Sequence, residues 1–318
     1  MAAEPIHKSD AERGSTLRAG RSPLDREREK EDGVESSPQI ADWQRYSIAA
    51  RQAGRRIGFV PTMGALHAGH RSLMAAARRE CDVVVVSIFV NPTQFGPQED
   101  LAKYPRTLEA DLAMCQEEGV DFVWSPAADS MYPPGYSTWV TVEPISLKWE
   151  GEHRPTHFRG VSTVVLKLFN LVRPDIAFFG QKDYQQQALI RQMTTDLDLP
   201  IEIRTCPTIR ESDGLALSSR NRFLSSAERQ SAVMLSRCLQ FAAGQIQAGA
   251  RDVATIEAEM WRMLRETPHV QPDYAALVDS RSLEHLTTVP EECVAIIAAK
   301  VGSTRLIDNW IIQTGSGG

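Results

Sequence analysis

The sequence predicts an α/β fold: a Rossmann-like parallel sheet domain followed by a second, smaller α+β C-terminal domain. Three observations lead there. From Ile57 onward, short runs rich in Val and Ile alternate with amphipathic helical patterns, as expected of parallel strands joined by helical crossovers. The side chains best suited to chemistry stand directly after those runs, where parallel sheets bind their ligands. Past Cys206 the order changes to two helices and then three strands, which marks a separate unit with its boundary near Pro207.

Taken in order, residues 1–37 are dense in both acids and bases, with Ile6, Leu17, Leu24 and Val34 as their branched apolar residues. Such a segment cannot bury a core and is expected to be a disordered, charged tail. It lacks the apolar stretch of a signal peptide and is too acidic for an ordinary transit peptide. The sheet domain is expected over 38–207, with strands at 57–60, 83–90, 121–124, 175–179 and 201–204. Helices are expected at 71–79, 107–118, 161–172 and 183–197. Residues 126–155 are rich in Pro, Gly and Trp and read as a long excursion, with a short hairpin at 138–142 and the character of an active-site lid. The C-terminal domain, 208–318, takes helices at 226–247 and 252–265 and strands at 274–279, 293–299 and 304–310. The end, 315–318, reads as solvated.

Composition narrows the function. Across 318 residues, 42% hydrophobic and 24% charged are the proportions of a globular protein. A net charge of −6 gives no generic nucleic-acid affinity. The longest apolar run, 83–90, is broken by Ser87 and is too short to span a bilayer. The five cysteines are scattered without a CxxC pair, as in a cytoplasmic protein with reduced thiols.

The chemistry concentrates at strand exits. Phe59 to Val60 leads into Pro61-Thr62-Met63-Gly64-Ala65-Leu66-His67-Ala68-Gly69-His70, where a strand becomes a helix and free N–H groups favour a phosphate. Imidazoles there can donate to charge developing on phosphoryl oxygens. The bland alternative is two unrelated polar side chains. A zinc site is opposed by Gly69 and by the lack of a neighbouring Cys or acid, and Pro155 spoils the spacing of His153 and His157. Asn91 and Gln94, in Asn91-Pro92-Thr93-Gln94-Phe95-Gly96, carry amides suited to a hydroxy acid, or simply form a polar turn. In Gly180-Gln181-Lys182-Asp183, Asp183 suits an N-cap, whereas Lys182 is unfavourable at a positive helix end unless an anion binds. Gln186 lies one turn further on the same face. Leu217-Ser218-Ser219-Arg220 can wrap a triphosphate tail or be a plain Ser-rich loop. His153 to Gly160 adds donors ahead of a helix. No Walker loop, GxGxxG or GxSxG elbow is present, which removes the commonest nucleotide and hydrolase families.

Read together, PTMGALHAGH, NPTQFG, RPTHFRGV, FFGQKDYQQ and LSSRNRFLS resemble, in this order, the pantoate–β-alanine ligase (pantothenate synthetase) family of the HxGH nucleotidyltransferase superfamily. The similarity runs from about Ile40 to Ile311. The resemblance implies that pantoate attacks the α-phosphorus of ATP to give pantoyl adenylate, and that β-alanine then displaces AMP. It implies ATP binding by Met63, Gly64, Ala65, Leu66, His67, Ala68, Gly69 and His70, by Gly180, Gln181, Lys182 and Asp183, and by Ile209, Leu217, Ser218, Ser219 and Arg220. His70 would be the proton donor, His67 would steady phosphoryl charge and Lys182 would neutralise phosphates. Gln94 would bind pantoate and β-alanine, and Gln186 pantoate. Mg²⁺ would arrive with ATP, with Asp111 its candidate protein ligand. A homodimer is implied, with no nucleic-acid or membrane partner.

Two positions depart from the family, which usually has Glu at Gln181 and Met at Leu217; ATP affinity is where a difference would show. The competing readings are a nucleotidyltransferase whose product keeps the nucleotide, and a non-enzymatic nucleotide-binding module. Asn91, Gln94 and Gln186 argue against the first, and intact His67, His70, Lys182 and Arg220 against the second.

Overall fold

Alternation of apolar side chains explains how the central sheet buries both faces. The computed structural model describes residues 34–96 and 100–314; the tail expectation for residues 1–33 and the solvated end at 315–318 lie outside them. Strands β1 (Glu35–Ser37), β2 (Ile57–Thr62), β3 (Val83–Ile88), β4 (Phe122–Trp124), β5 (Ile176–Gly180) and β6 (Glu202–Cys206) form one sheet in the order β1-β4-β3-β2-β5-β6. Every pairing is parallel. Successive side chains of a strand point to opposite faces. Phe59, Val83 and Val85 accordingly share a core with helices α1 (Ile40–Gln52), α6 (His157–Val172) and α7 (Tyr184–Asp196). Val60, Val84 and Val86 face the other way, against α2 (Ala68–Glu80) and α3 (Leu108–Glu117).

The strand order places the site. Connections from β2 run outward through β3 to β4, whereas β5 lies on the opposite side of β2. The carboxyl ends of β2 and β5 therefore flank the topological switch point, where such sheets open a ligand crevice. His67 and His70 follow β2, and Lys182 follows β5.

Between these, α4 (Ala128–Met131) and α5 (Glu150–His153) are short helices of the excursion. The C-terminal part holds α8 (Ser226–Gln247) and α9 (Val253–Arg265), followed by β7 (Val270–Asp279), β8 (Glu292–Val301) and β9 (Thr304–Gln313). These three strands are an antiparallel sheet in sequential order. Cys238, Leu239 and Ala242 of α8 and Ile256, Met260 and Leu264 of α9 cover one face, with Leu277, Ala295 and Ile297. The other face, with Tyr274, Ala276, Val278, Val294 and Ile296, joins the core of the large sheet. The described residues from Val34 onward thus make one compact unit.

Two expectations change and one helix is new. Residues 35–37, assigned to the tail, form β1 through Glu35↔Phe122 to Ser37↔Trp124, a non-local pairing that local composition does not reveal. Helix α1, unanticipated, buries Trp43, Ser47 and Ala50 along one face, and the Trp43 indole donates to the Val172 carbonyl at 3.2 Å. Residues 138–142 form no strand; the Val140 N–H donates to the Thr163 hydroxyl at 3.0 Å, laying the segment along α6.

The excursion is fastened where a lid was anticipated. The Trp149 indole donates to the Leu283 carbonyl at 2.8 Å. Glu150, buried to 5% exposure, accepts from Arg305 at 2.6 and 2.7 Å. Among the described residues no helix is long and apolar enough to cross a membrane. The five cysteines are buried thiols without disulfides, and burial pushes Cys115 and Cys238 up to about 12.

Candidate active site

The exit of β2 sets the two imidazoles. His67 is the N-cap of α2, and its Nδ1 accepts from the Gly69 N–H at 3.1 Å. Nδ1 of His70 in turn accepts from the His67 N–H at 3.3 Å. An Nδ1 that accepts leaves the proton of a neutral ring on Nε2, so each imidazole keeps an N–H donor at its outer edge. The ring centroids are 4.2 Å apart. Burial, then the positive charge of Lys182, lowers the His67 pKa, with Asp183 working the other way. Burial, then His67, takes His70 down to about 3, again against the pull of Asp183. Both are therefore neutral near pH 7, as suits the positive end of a helix.

Asp111 is not available for a metal. It is 3% exposed, and its oxygens accept from the Ala65 and Leu66 N–H groups at 3.0 and 2.8 Å and from the Thr107 hydroxyl at 3.2 Å. Three of its roughly four acceptor sites are taken up within the protein.

The exit of β5 supplies the cation. Lys182 Nζ lies 3.6 Å from Asp183 Oδ1. Asp183 occupies the N-cap position of α7 but makes no capping bond, because its carboxylate pairs with Lys182 instead. Burial works against that charge, yet Lys182, Arg220 and His157 outweigh it and hold Asp183 below the ordinary carboxylate range. Gln181 turns away: its amide reaches Asn309 at 3.4 Å, and the Asn309 amide donates to the carbonyls of Gln181 and Lys182 at 2.9 and 2.8 Å. Gln181 is accordingly not part of the cavity wall.

The turn carrying Asn91 and Gln94 follows β3. The Asn91 amide donates to Gln94 Oε1 and to the Gly160 carbonyl, each at 3.1 Å, and the Gln94 amide nitrogen points to Met63 Sδ at 3.0 Å. His157 Nδ1 lies 2.9 Å from the Gln94 carbonyl. This arrangement needs Gly160, where a Cβ would come within 2.5 Å of the Thr93 carbonyl oxygen and 2.7 Å of the Gln94 nitrogen. Gly160→Ala is expected to displace the turn and to cost about 1–3 kcal/mol of stability. Thermal unfolding checks this, and an unchanged midpoint would show that the turn does not need so close an approach of the helix.

The last contributor is the loop beyond β6. Ser218 Oγ accepts from the Arg220 N–H at 3.3 Å, and the Leu217 N–H donates to the Ile209 carbonyl at 2.9 Å. Arg210 grips Asp308 of β9 at 2.7 and 2.9 Å, which fixes the strand beside Ile209.

All four corners open on one cavity of about 1050 Å³. Of the expected ligand-binding residues, Gly64, Ala65, Leu66, Ala68 and Gln181 are absent from its wall, and the others line it. Gly64, Ala65 and Leu66 act behind the wall through Asp111, and Ala68 opens the helix. Asn309, Asp308 and Arg305 escaped sequence reading because they belong to a strand whose local pattern is simply that of an antiparallel sheet. Among the described residues no three His, Cys, Asp or Glu side chains are grouped to hold a metal.

The model of the Pantoate-beta-alanine ligase family matches residues 35–311. A pantothenate synthetase of Moorella thermoacetica is 51% identical over 274 residues, covering 86% of this chain and 97% of that relative. One from Acidobacterium capsulatum is 54% identical over 258 residues, covering 81% and 86%. The crystal structure of pantothenate synthetase from Thermus thermophilus aligns with a TM-score of 0.82 at 44% identity, covering 87% of this chain and 99% of that one. Pantoate-beta-alanine ligase from Francisella tularensis, solved with beta-gamma ATP and beta-alanine, aligns at 0.71 and 34% identity over 88% and 98%.

Proposed function

Because this chain belongs to the pantoate-beta-alanine ligase family, we propose how its own residues divide the work of that reaction. It is an ATP-dependent, AMP-forming ligase that condenses (R)-pantoate with β-alanine through pantoyl adenylate. A carboxylate oxygen of pantoate attacks the α-phosphorus, the bond to the bridging β-phosphate oxygen breaks, and pyrophosphate leaves. The amine of β-alanine then attacks the acyl carbon, and AMP departs with the electron pair of the broken C–O bond.

The observation that carries this reading is the meeting of two neutral imidazoles, Lys182 and Arg220 around one cavity at the switch point. His67 and His70 would donate Nε2–H hydrogen bonds to the α-phosphoryl oxygens as their charge grows. Lys182 would follow charge onto the leaving pyrophosphate, and Ser218, Ser219 and Arg220 would clasp the far phosphates. Gln94 and Gln186 would orient pantoate with neutral amides, which leaves its carboxylate nucleophilic. Positioning with electrostatics suffices for the reaction, with no covalent enzyme intermediate required.

Mg²⁺ fits as a companion of ATP. Glu150 and Asp308 are held by Arg305 and Arg210 at 2.6 and 2.7 Å; Asp183, held ionised and paired more loosely with Lys182 at 3.6 Å, is the residue that would add one protein oxygen to a cation otherwise bound by phosphates and water. When bound, Mg²⁺ supplies further neutralisation of the phosphate oxygens. A homodimer, a cytoplasmic location and a domain boundary near Pro207, between β6 and the antiparallel part, belong to the same proposal.

The test is product formation with each substrate omitted in turn. AMP should accumulate steadily with ATP, pantoate and β-alanine together. Leaving out β-alanine should reduce the signal to a burst of pyrophosphate. A product that retains the nucleotide would move the chain to the nucleotidyltransferase alternative.

A further inference from the structure

We propose that Asp111 is the positioning residue of the phosphate loop: it holds the chain between β2 and α2 in the one conformation that presents His67 and His70 to ATP. The inference rests on the reading of the cavity as an ATP site and adds a residue outside its wall. Asp111 sits on α3, more than forty residues along the chain from the loop, and is 3% exposed. Its Oδ2 accepts from the Ala65 N–H at 3.0 Å, and its Oδ1 accepts from the Leu66 N–H at 2.8 Å and the Thr107 hydroxyl at 3.2 Å.

The loop needs such a clamp. Ala65 has φ 51° and Gly64 φ 78°, and a side chain held in the left-handed region persists only where surrounding contacts over-determine it. The carboxylate provides those contacts on two consecutive N–H groups. A Cβ on Gly64 would stand 3.0 Å from Asp111 Oδ2, so that glycine and this carboxylate fit together as a pair.

The clamp has a chemical consequence. In a P-loop the backbone N–H groups cradle the phosphates, but here the Ala65 and Leu66 N–H groups turn inward to a protein anion. The side-chain donors that this corner offers to the proposed nucleotide are the two imidazole Nε2–H groups, whose placement depends on where the loop releases the chain into α2. A shift there moves both rings together. The second half-reaction, which no longer transfers a phosphoryl group, depends less on them.

Asp111→Asn keeps the size but sets an amide NH₂ against one of the two N–H donors. Pantoyl-adenylate formation per ATP, as kcat/KM, is expected to fall about 30-fold, because small misplacements of catalytic groups are costly. Aminolysis of supplied pantoyl adenylate should stay within about twofold, as its groups are positioned elsewhere. Equal losses in both half-reactions would reduce Asp111 to a folding role and overturn the proposal, as would no loss in either. Should Asp111→Asn not fold, Thr107→Val removes one bond to the carboxylate, and about a threefold selective loss is expected from a single hydrogen bond. An unchanged ratio of half-reactions in that variant overturns the proposal equally. Calorimetry of ATP on the wild-type chain separates the two ideas: no ATP binding there would remove the site reading itself.

Discussion

Lys182→Met should slow pantoyl-adenylate formation by about 10²–10³-fold, the scale seen when one preorganised charge-stabilising group is lost. Met keeps most of the apolar stem, so the fold around β5 should survive. Nζ lies 3.6 Å from Asp183 Oδ1, and its charge depresses His67, His70 and Asp183 alike. Three groups from two chain corners thus feel the same ammonium, which puts it at the centre of the proposed phosphate site. Its loss would take away the cation proposed to follow charge onto the leaving pyrophosphate. Rapid-quench measurement of pyrophosphate with pantoate and ATP reads the step directly, and a near-normal burst would remove Lys182 from the mechanism. The substitution should also let the Asp183 pKa rise toward the usual carboxylate range and relieve His67. NMR titration of His67 therefore provides a readout independent of turnover.

The same field explains what could and could not be read from the chain. Local signals sufficed wherever a strand led into a helix: β2, β3 and β5 are mostly apolar runs, and His67, Gln94 and Lys182 lie in the segments that follow them. Lys182 was conspicuous because a cation at a positive helix end asks for an anion. Long-range partners left no such mark. Asp111 sits on an ordinary helix, and its role depends on two N–H groups far away along the chain. Asn309 secures the Lys182 corner from β9, and nothing in TRLIDNWIIQ distinguishes that amide from any other strand residue. β1 was hidden because three residues of polar chain acquire strand character from β4 alone. The excursion read as a lid from its Pro and Gly content, yet its polar groups are engaged by Leu283 and Arg305. Composition reports local stiffness, whereas fastening depends on what the distant chain offers.

His70→Gln provides the sharpest test of the chemistry, because it separates hydrogen-bond donation from proton transfer. The resemblance assigns His70 as a proton donor. Its environment argues for a neutral imidazole: burial first, then His67, takes it down to about 3, and Nδ1 is occupied by the His67 N–H. A ring that is uncharged from pH 5 to 8 has no imidazolium proton to give, but its Nε2–H can bond a developing phosphoryl charge. Gln places an N–H near the Nε2 position and cannot transfer a proton. His70→Ala should lose about 10²–10³-fold in adenylation, as for other lost oxyanion donors, and His70→Gln should recover a substantial part. Equal rates in the two variants would favour proton transfer. The pH dependence has a defined sign. The folded-state pKa lies below the ordinary value of 6.5, so the stability that His70 contributes is complete above about 6.5 and falls as pH drops toward about 3, where the folded form at last takes the proton. Since kcat/KM reports the free enzyme, its profile should show no His70 limb between pH 5 and 8. Acid unfolding of His70→Gln should be shallower than that of the wild type over the same descent. An acid limb near pH 6.5 that disappears in His70→Gln would restore the imidazolium.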